Sequence, residues 1–218
     1  MTQTAIDAYW KKKLEDLAEK LTENGFVSHV VGDTRAACNL VTEQLIPAMH
    51  PASIAWGGSR TFIDTGLYDI LRQRSDIKIL DTFDKSIDRE SAMERRRQAL
   101  LCDLFFTGTN AITEKGVLVN LDMIGNRVAA ITFGPRKVVI LAGRNKVVRD
   151  VAAGMERTRG YAALVNIRRL GKQTPCASAS RCMNCSSEDR ICNVWTLTEK
   201  CFPKGRIHVV LINEDLGF

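Results

Sequence analysis

The sequence predicts an α/β fold in which a mostly parallel sheet is flanked by helices. In the first half of the chain, amphipathic helical patterns alternate with short apolar runs, which is typical of a parallel sheet. Strand-like runs then cluster with short connections, which indicates some hairpin-like pieces. With 218 residues, 45% of them hydrophobic and 26% charged, the chain can form one large globular domain. We expect a single domain over residues 1–218 that contains a Cys-rich loop module at 171–204.

Periodicity and turn residues divide the first half into elements. Apolar residues recur at three- and four-residue steps from Ile6 to Leu21, and Asn24-Gly25 ends this amphipathic helix. Thr34 is a candidate N-cap for the second helix. The predicted helices cover 5–24, 34–46, 61–74 and 88–100, and the predicted strands cover 26–31, 53–56, 77–80 and 102–107.

The second half reads differently because its apolar runs follow each other closely. These runs predict strands over 116–121, 128–133, 138–142 and 205–212, with a helix over 146–166. The composition changes near Gly171, where the Cys-rich module begins with little periodicity.

The charge of the chain favours small anions over nucleic acids as ligands. The formal net charge is +6 and the pI about 9.0, but the basic residues are scattered along the sequence. The densest run, Glu94–Arg97, lies in a helical pattern and is best explained as a solvated face. No aromatic-interleaved basic motif occurs, so we do not expect nucleic-acid binding.

The apolar stretches of the sequence predict the cellular localisation of the protein. The first 21 residues lack the apolar region and the cleavage site of a signal peptide. No stretch reaches the ~18 apolar residues of a membrane-spanning helix. We therefore expect a cytoplasmic protein. Because thiols stay reduced in the cytoplasm, its clustered cysteines are expected to bind metal more readily than to form disulfides.

Two polar loops follow predicted strands, where open α/β sheets bind ligands. In the first, Gly57 and Gly58 allow a ligand to approach the backbone, and Ser59 and Thr61 lie where a helix begins. A tight turn with a simple cap explains this loop equally well. The second loop provides Thr109, Asn110 and Glu114. Glu114 is a candidate nucleophile or base, although a solvated turn carboxylate is the simpler interpretation.

Two further segments each offer a cation. Arg127, in Gly125-Asn126-Arg127, could pair with a carboxylate through two hydrogen bonds. Lys146 lies beside Asn145, a candidate helix cap, and exposed charges near a plain cap are the alternative.

Taken together, these segments resemble the LUD-domain (lactate utilisation) family. The resemblance rests on Gly57-Gly58-Ser59-x-Thr61, the 108–116 stretch, Gly125-Asn126-Arg127, Gly143–Lys146 and the closing Glu-Asp-Leu-Gly-Phe. It covers essentially the whole chain and matches single-domain members with a Cys-rich segment. One departure is Asp64, where the family often has Glu. The resemblance implies a fold similar to that of glucosamine-phosphate isomerase, ribose-phosphate isomerase and the CoA-transferases. It also implies iron–sulfur partner subunits in the oxidation of lactate to pyruvate.

The cysteines form the other constellation. Five of the seven have the spacing C-x5-C-x2-C-x6-C-x8-C, and only Cys182-Met-Asn-Cys185 has the close pairing typical of a metal site. Packing explains Cys38, Cys102 and Cys201, which have apolar neighbours. For the other four, a tetrathiolate iron–sulfur cluster or zinc site, redox disulfides and packing all stay open. The candidate ligands are Cys176, Cys182, Cys185 and Cys192.

Three functional hypotheses follow. The first is a protein that binds a small anionic metabolite and is linked to iron–sulfur-dependent oxidation of lactate or a similar hydroxy acid. Gly57, Gly58, Ser59, Thr61, Thr109, Asn110, Arg127 and Lys146 would bind the metabolite, and Glu114 would lie at its reacting end. The second is a non-catalytic redox-sensing or partner-docking subunit, and the third is acyl or CoA transfer through Glu114. A homo-oligomer is compatible with each hypothesis. No G-x-G-x-x-G follows a strand, so an independent NAD enzyme is not expected.

Overall fold

The computed structural model describes residues 2–218, within which the strands form two sheets. The strands are β1 (Val27–Val31), β2 (Ser53–Trp56), β3 (Lys78–Leu80), β4 (Leu104–Gly108), β5 (Ala111–Thr113), β6 (Leu118–Asp122), β7 (Lys137–Gly143), β8 (Val147–Val148), β9 (Val194–Thr198) and β10 (Ile207–Ile212). The central sheet has the order β1-β10-β7-β4-β2-β3, and every pairing in it is parallel. The small sheet has the order β8-β5-β6-β9, with antiparallel β5–β6 and β6–β9 pairs. The predicted fold class is therefore confirmed.

Helices connect the parallel strands and cover both faces of the central sheet. They are α1 (Thr2–Glu23), α2 (Thr34–Asn39), α3 (Ile46–Met49), α4 (Arg60–Asp64), α5 (Leu67–Leu71), α6 (Arg89–Gln98), α7 (Asn126–Thr132), α8 (Val151–Arg157), α9 (Ala163–Arg169) and α10 (Pro175–Ala179). π-helical segments at Leu40–Leu45 and Thr158–Ala162 join α2 to α3 and α8 to α9. Among residues 2–218, no helix is long and apolar enough to cross a membrane.

The central strands are buried on both faces, which explains their continuous apolar sequences. In β4, Phe105 faces a core that includes Leu14 and Leu21 of α1. Its neighbour Phe106 faces the opposite core, together with Phe62 of α4. This alternation follows from the two-residue period of a strand, so each central strand contributes to both cores.

The structure corrects one predicted strand and several boundaries. Residues 128–133 belong to helix α7, because Gly125 turns the chain at φ 90° and Val128 and Ile131 then share one buried helix face. This run of Val, Ala and Ile fits both periodicities over so short a length. Asp33, and not Thr34, caps α2 by accepting the Ala36 N–H at 2.7 Å.

Other boundaries differ where the local sequence carries no strong signal. The predicted helix over 61–74 is divided into α4 and α5 at Gly66, which has φ 80°. Strands β5, β8 and β9 were not predicted, and each has five residues or fewer. Strand β9 lies inside the Cys-rich segment and pairs with β6, so long-range pairing defines it.

Candidate functional site

The order of the central sheet creates a topological switch point at its carboxyl edge. From β2 the chain moves outward to β3, and it then returns to place β4 on the other side of β2. Open α/β sheets bind ligands at such a switch point. A Cβ atom on Gly108 at the end of β4 would lie 2.5 Å from Ser59 Oγ, so glycine allows the loops after β2 and β4 to meet. The structure thus brings two of the predicted polar loops together.

Arg127 lies beneath these loops, and protein acceptors already use its guanidinium. Its Nη1 donates to Asn120 Oδ1 at 2.6 Å and to the Gly108 carbonyl at 3.1 Å. Its Nη2 donates to Asn110 Oδ1 at 2.8 Å and to the Leu121 carbonyl at 2.9 Å. Burial lowers the pKa of Arg127, and the charge of neighbouring Asp122 opposes that shift. Arg127 therefore acts as a structural cation that joins α7 to β4 and β6.

Thr109, Asn110 and Asn120 complete this buried polar network. Thr109 Oγ1 donates to the Ala111 carbonyl at 3.1 Å, and the Asn110 N–H donates to Asn120 Oδ1 at 3.2 Å. Asn120 Nδ2 is buried and has no hydrogen-bond acceptor among residues 2–218. Sequence reasoning missed Asn120, although a lone amide in the apolar strand Leu118–Leu121 was the available signal.

Lys146 is the second buried cation, and its surroundings are much poorer in acceptors. Its side chain lies in the turn after β7 and is 2% exposed. Within the described chain, its Nζ has one hydrogen-bond acceptor, the backbone oxygen of Phe218. Burial lowers the pKa of Lys146 to about 7, and the positive charges of Arg157 and Arg127 act in the same direction. Asp64 partly opposes these effects.

Arg157 connects the loops on either side of Lys146. Its Nε donates to the Asn145 carbonyl at 2.9 Å, and its Nη1 donates to the Asn110 carbonyl at 2.9 Å. Burial lowers the pKa of Arg157. Arg127, Lys146 and Arg157 together create a region of positive potential under the carboxyl edge of the sheet.

Residues 214–218, which follow β10 and which we name the strap, cover Lys146. The Leu216 N–H donates to Asn145 Oδ1 at 3.2 Å, and the Gly217 N–H donates to Asp64 Oδ2 at 3.2 Å. Thr61 Oγ1 donates to the Leu216 carbonyl at 3.3 Å. Leu216 itself is buried in the core, so it fixes the strap over Lys146.

The glycine loop after β2 mainly supports α4 and the strap. Ser59 Oγ accepts the Phe62 N–H at 3.1 Å, which is the simple cap that the sequence left open. Gly57 is buried against Arg127, because a Cβ atom there would lie 3.1 Å from Arg127 Cγ. Gly58 is exposed. Thr61 is the member of this loop that contacts the strap directly.

Glu114 lies away from these residues. Its carboxylate forms a 2.7 Å ion pair with Lys13 of α1, and the side chain is 46% exposed. It borders a surface cavity of about 580 Å³ that Tyr9, Asp16 and Leu17 also line. Its predicted catalytic role stays a prediction, because the structure does not bring it into contact with Lys146 or Arg127.

The four candidate metal ligands lie in the segment between α9 and β9. Cys176 and Cys192 are buried, and Cys182 and Cys185 are partly exposed. The Met183 N–H donates to Cys176 Sγ at 3.4 Å, and the Asn184 N–H donates to Cys182 Sγ at 3.5 Å. No group of three or more His, Cys, Asp or Glu residues within 2–218 is arranged to hold a metal ion.

Burial raises the pKa of the Cys192 thiol, and the positive charge of nearby Arg190 partly opposes this shift. All seven cysteines are free. Cys102 and Cys201 are buried among apolar residues of one core, as predicted for packing cysteines.

A match to a protein-family model shows to which family the chain belongs. The model described as LUD domain matches residues 14–212, which include every element from the second half of α1 to the end of β10. The chain belongs to the LUD-domain family. The resemblance inferred from the polar motifs is therefore confirmed. A search of curated proteins gave no match.

A comparison with solved structures found a match along most of the chain. The crystal structure of a DUF162 family protein from Deinococcus radiodurans has 13% sequence identity and a TM-score of 0.49. The match covers 93% of this chain and 97% of that chain.

Within this LUD domain, the structure sorts the predicted residues into three places. The carboxyl edge of the central sheet brings together the loops that contain Gly57, Gly58, Ser59, Thr61, Thr109, Asn110, Arg127 and Lys146. Glu114 lies on the surface beside α1, and the cysteines lie beyond α9. Sequence reasoning also missed the strap, whose contact with Lys146 spans 72 residues.

Proposed function

We propose that this LUD domain binds a small carboxylate metabolite at Lys146, at the switch point of the central sheet. The observation that carries the proposal is a buried lysine whose single acceptor, among the described residues, is the backbone oxygen of Phe218. A buried ammonium group needs a counter-charge and several acceptors, because burial in a low dielectric is otherwise costly. A ligand carboxylate that replaced the Phe218 oxygen would supply a negative charge and two acceptor oxygens.

The charges around Lys146 support an anion more strongly than a neutral ligand. The positive charges of Arg157 and Arg127 disfavour the protonated form of Lys146, and the negative charge of Asp64 offsets this effect only in part. A bound carboxylate would raise the pKa of Lys146 and restore its charge. Binding would consequently take up a proton near neutral pH and weaken as the pH increases.

The strap supports a small ligand. Its hydrogen bonds with Asp64, Thr61 and Asn145 hold it over Lys146, so a ligand on Lys146 must displace the end of the strap while Leu216 stays buried. Asn120 Nδ2, a buried donor without an acceptor among residues 2–218, belongs to the same polar layer and could serve a hydroxyl group. Membership of the LUD family makes lactate the first hydroxy acid to test, in an oxidation with iron–sulfur partner subunits.

The binding test is isothermal titration calorimetry with L-lactate and pyruvate, in buffer without other carboxylates. We expect Lys146→Met to weaken binding at least about tenfold, since a charge-assisted hydrogen bond contributes about 1.5–3 kcal/mol. Lys115→Met is the matched control, because Lys115 is exposed in the turn beside Glu114. Equal affinity of the Lys146 variant and the native protein would refute the proposal.

A second proposal concerns the cysteines, which would hold an iron–sulfur cluster or zinc through Cys176, Cys182, Cys185 and Cys192. Thiolates suit both metals, and the N–H···S hydrogen bond inside Cys182-Met-Asn-Cys185 would stabilise a thiolate. When bound, a cluster would supply one-electron transfer and zinc would supply structural stability. The donors thus fit in chemistry, although ligation would require the segment to rearrange.

Purification without oxygen, an absorption spectrum and elemental analysis test the cysteine proposal. Cys185→Ser should lower the bound iron or zinc, whereas Cys38→Ser should not, because the Cys38 thiol donates to the Thr65 carbonyl in a different region. Metal-free protein would end this proposal. If hydrogen peroxide then joined Cys182 and Cys185 while being reduced to water, the redox-sensing alternative would replace it.

A further inference from the structure

Three large apolar side chains protrude from the end of the central sheet opposite to Lys146. Leu101 is 84% exposed, Phe133 is 85% exposed and Phe202 is 89% exposed. Each lies in the segment just before β4, β7 or β10, and these strands are neighbours in the order β10-β7-β4. The three side chains therefore share the amino edge of the sheet, across about 10 Å.

Contacts between the three loops hold these side chains in one group. Arg206 Nη1 donates to the Pro135 carbonyl at 3.2 Å, which joins the loop of Phe202 to that of Phe133. A Cβ atom on Gly134 would lie 2.7 Å from the Leu100 carbonyl oxygen, so the loop of Phe133 also lies against that of Leu101. We name Leu101, Phe133 and Phe202 the apolar tips.

The loops that bear the apolar tips also hold most of the excess positive charge. Segments 96–104, 132–137 and 199–206 contain seven Lys or Arg residues and two Asp or Glu residues. This excess of five accounts for most of the net charge of +6 of the chain. The fold thus concentrates at one edge a charge that is scattered in the sequence.

We propose that this edge binds the surface of an anionic lipid bilayer, with the apolar tips inserted among the lipids and the basic residues at the headgroups. Exposed apolar groups with a basic surround are typical of proteins that bind reversibly to anionic membranes. The three tips belong to separate loops, so they can enter a fluid phase without needing matching pockets.

A second copy of this chain and a different protein partner both fit this edge less well. A symmetric second copy would place two positively charged edges against each other, which is unfavourable. The tips offer about 500 Å² of apolar surface, estimated from the usual size of such side chains. A stable protein interface usually buries about 800 Å² on each partner.

Vesicle co-sedimentation of the full chain tests the proposal. We expect binding to vesicles of phosphatidylglycerol and phosphatidylcholine in equal amounts, and little binding to phosphatidylcholine alone. Phe133→Ser with Phe202→Ser should weaken binding at least about tenfold. Lys200→Gln and Lys204→Gln should each weaken it about fivefold. Because all four side chains are exposed, these variants should unfold at the same temperature as the native protein.

Tyr9→Ser is the matched control, since Tyr9 is 60% exposed on α1 and lies outside the apolar tips. Its vesicle binding should equal that of the native protein. Absence of binding to the anionic vesicles at low salt would overturn the proposal, as would equal binding by the double Phe variant. A concentration-dependent dimer that the double Phe variant abolishes would assign the edge to a second copy and overturn it as well.

Discussion

Arg127 and Lys146 are both buried cations of one polar layer, yet their surroundings differ in kind. Four hydrogen bonds satisfy the Arg127 guanidinium, with Asp122 nearby at 3.6 Å from its Nε. Lys146 has a single acceptor among residues 2–218, and that acceptor belongs to the strap. Burial and charge alone therefore do not identify a binding residue. The unused hydrogen-bonding capacity of Lys146 distinguishes it from Arg127.

The largest difference between the two should appear in stability. Arg127→Met should lower the free energy of unfolding by about 3–5 kcal/mol, because it removes four buried hydrogen bonds and the cation that faces Asp122. Lys146→Met should change it by less than about 1 kcal/mol or increase it, since it removes a poorly compensated buried amine. Urea denaturation at neutral pH measures both. Equal losses in the two variants would remove the distinction.

The pH dependence of stability sharpens the same comparison. The pKa of Lys146 is lowered to about 7 in the folded protein, whereas the unfolded chain keeps that proton up to the ordinary value of 10.5. Between these values the unfolded state binds more protons, so native stability should increase with pH. The expected gain is up to about 1.4 kcal/mol per pH unit, beginning near pH 7.

Below about pH 7 the amine is protonated in both states, so its contribution to the slope should vanish. Urea denaturation of the native protein and Lys146→Met at several pH values isolates this contribution as a difference. Parallel curves for the two proteins would contradict the low pKa of Lys146.

The smallest effect concerns the surface ion pair of Glu114 and Lys13. Glu114→Gln should change the free energy of unfolding by less than about 1 kcal/mol, because exposed ion pairs contribute little. It should leave carboxylate binding unchanged, as measured by the same calorimetry. Strong loss of binding in this variant would move the site from Lys146 to the cavity beside α1.

The sequence predicted the scaffold of the site better than its chemistry. Strand β2 and the glycine loop after it were predicted residue by residue, because a short apolar run followed by Gly57-Gly58 has few alternatives. Arg127 and Lys146 were both identified as cations, but not their difference. Arg127 is satisfied in part by Asn120, which lies on a separate strand. Lys146 is covered by the strap, whose contact with it spans 72 residues.

The second half was harder to predict because its signals are long-range or ambiguous. Residues 128–133 fit a strand pattern, yet Gly125 and the burial of Ile131 make them a helix. Strand β9 exists only through its pairing with β6, which local periodicity cannot indicate. The concentration of charge around the apolar tips likewise appears only after β4, β7 and β10 become neighbours.

The central claim is that Lys146 is an under-paired buried amine that a small carboxylate recharges. The most direct measurement is NMR titration of the lysine side chains, with the Lys146 signal assigned through Lys146→Met. We predict a pKa near 7 for Lys146 in the free protein, and an increase of about one pH unit or more with saturating L-lactate or pyruvate but not with chloride. A pKa at the ordinary value of 10.5, or one that neither carboxylate changes, would contradict the account.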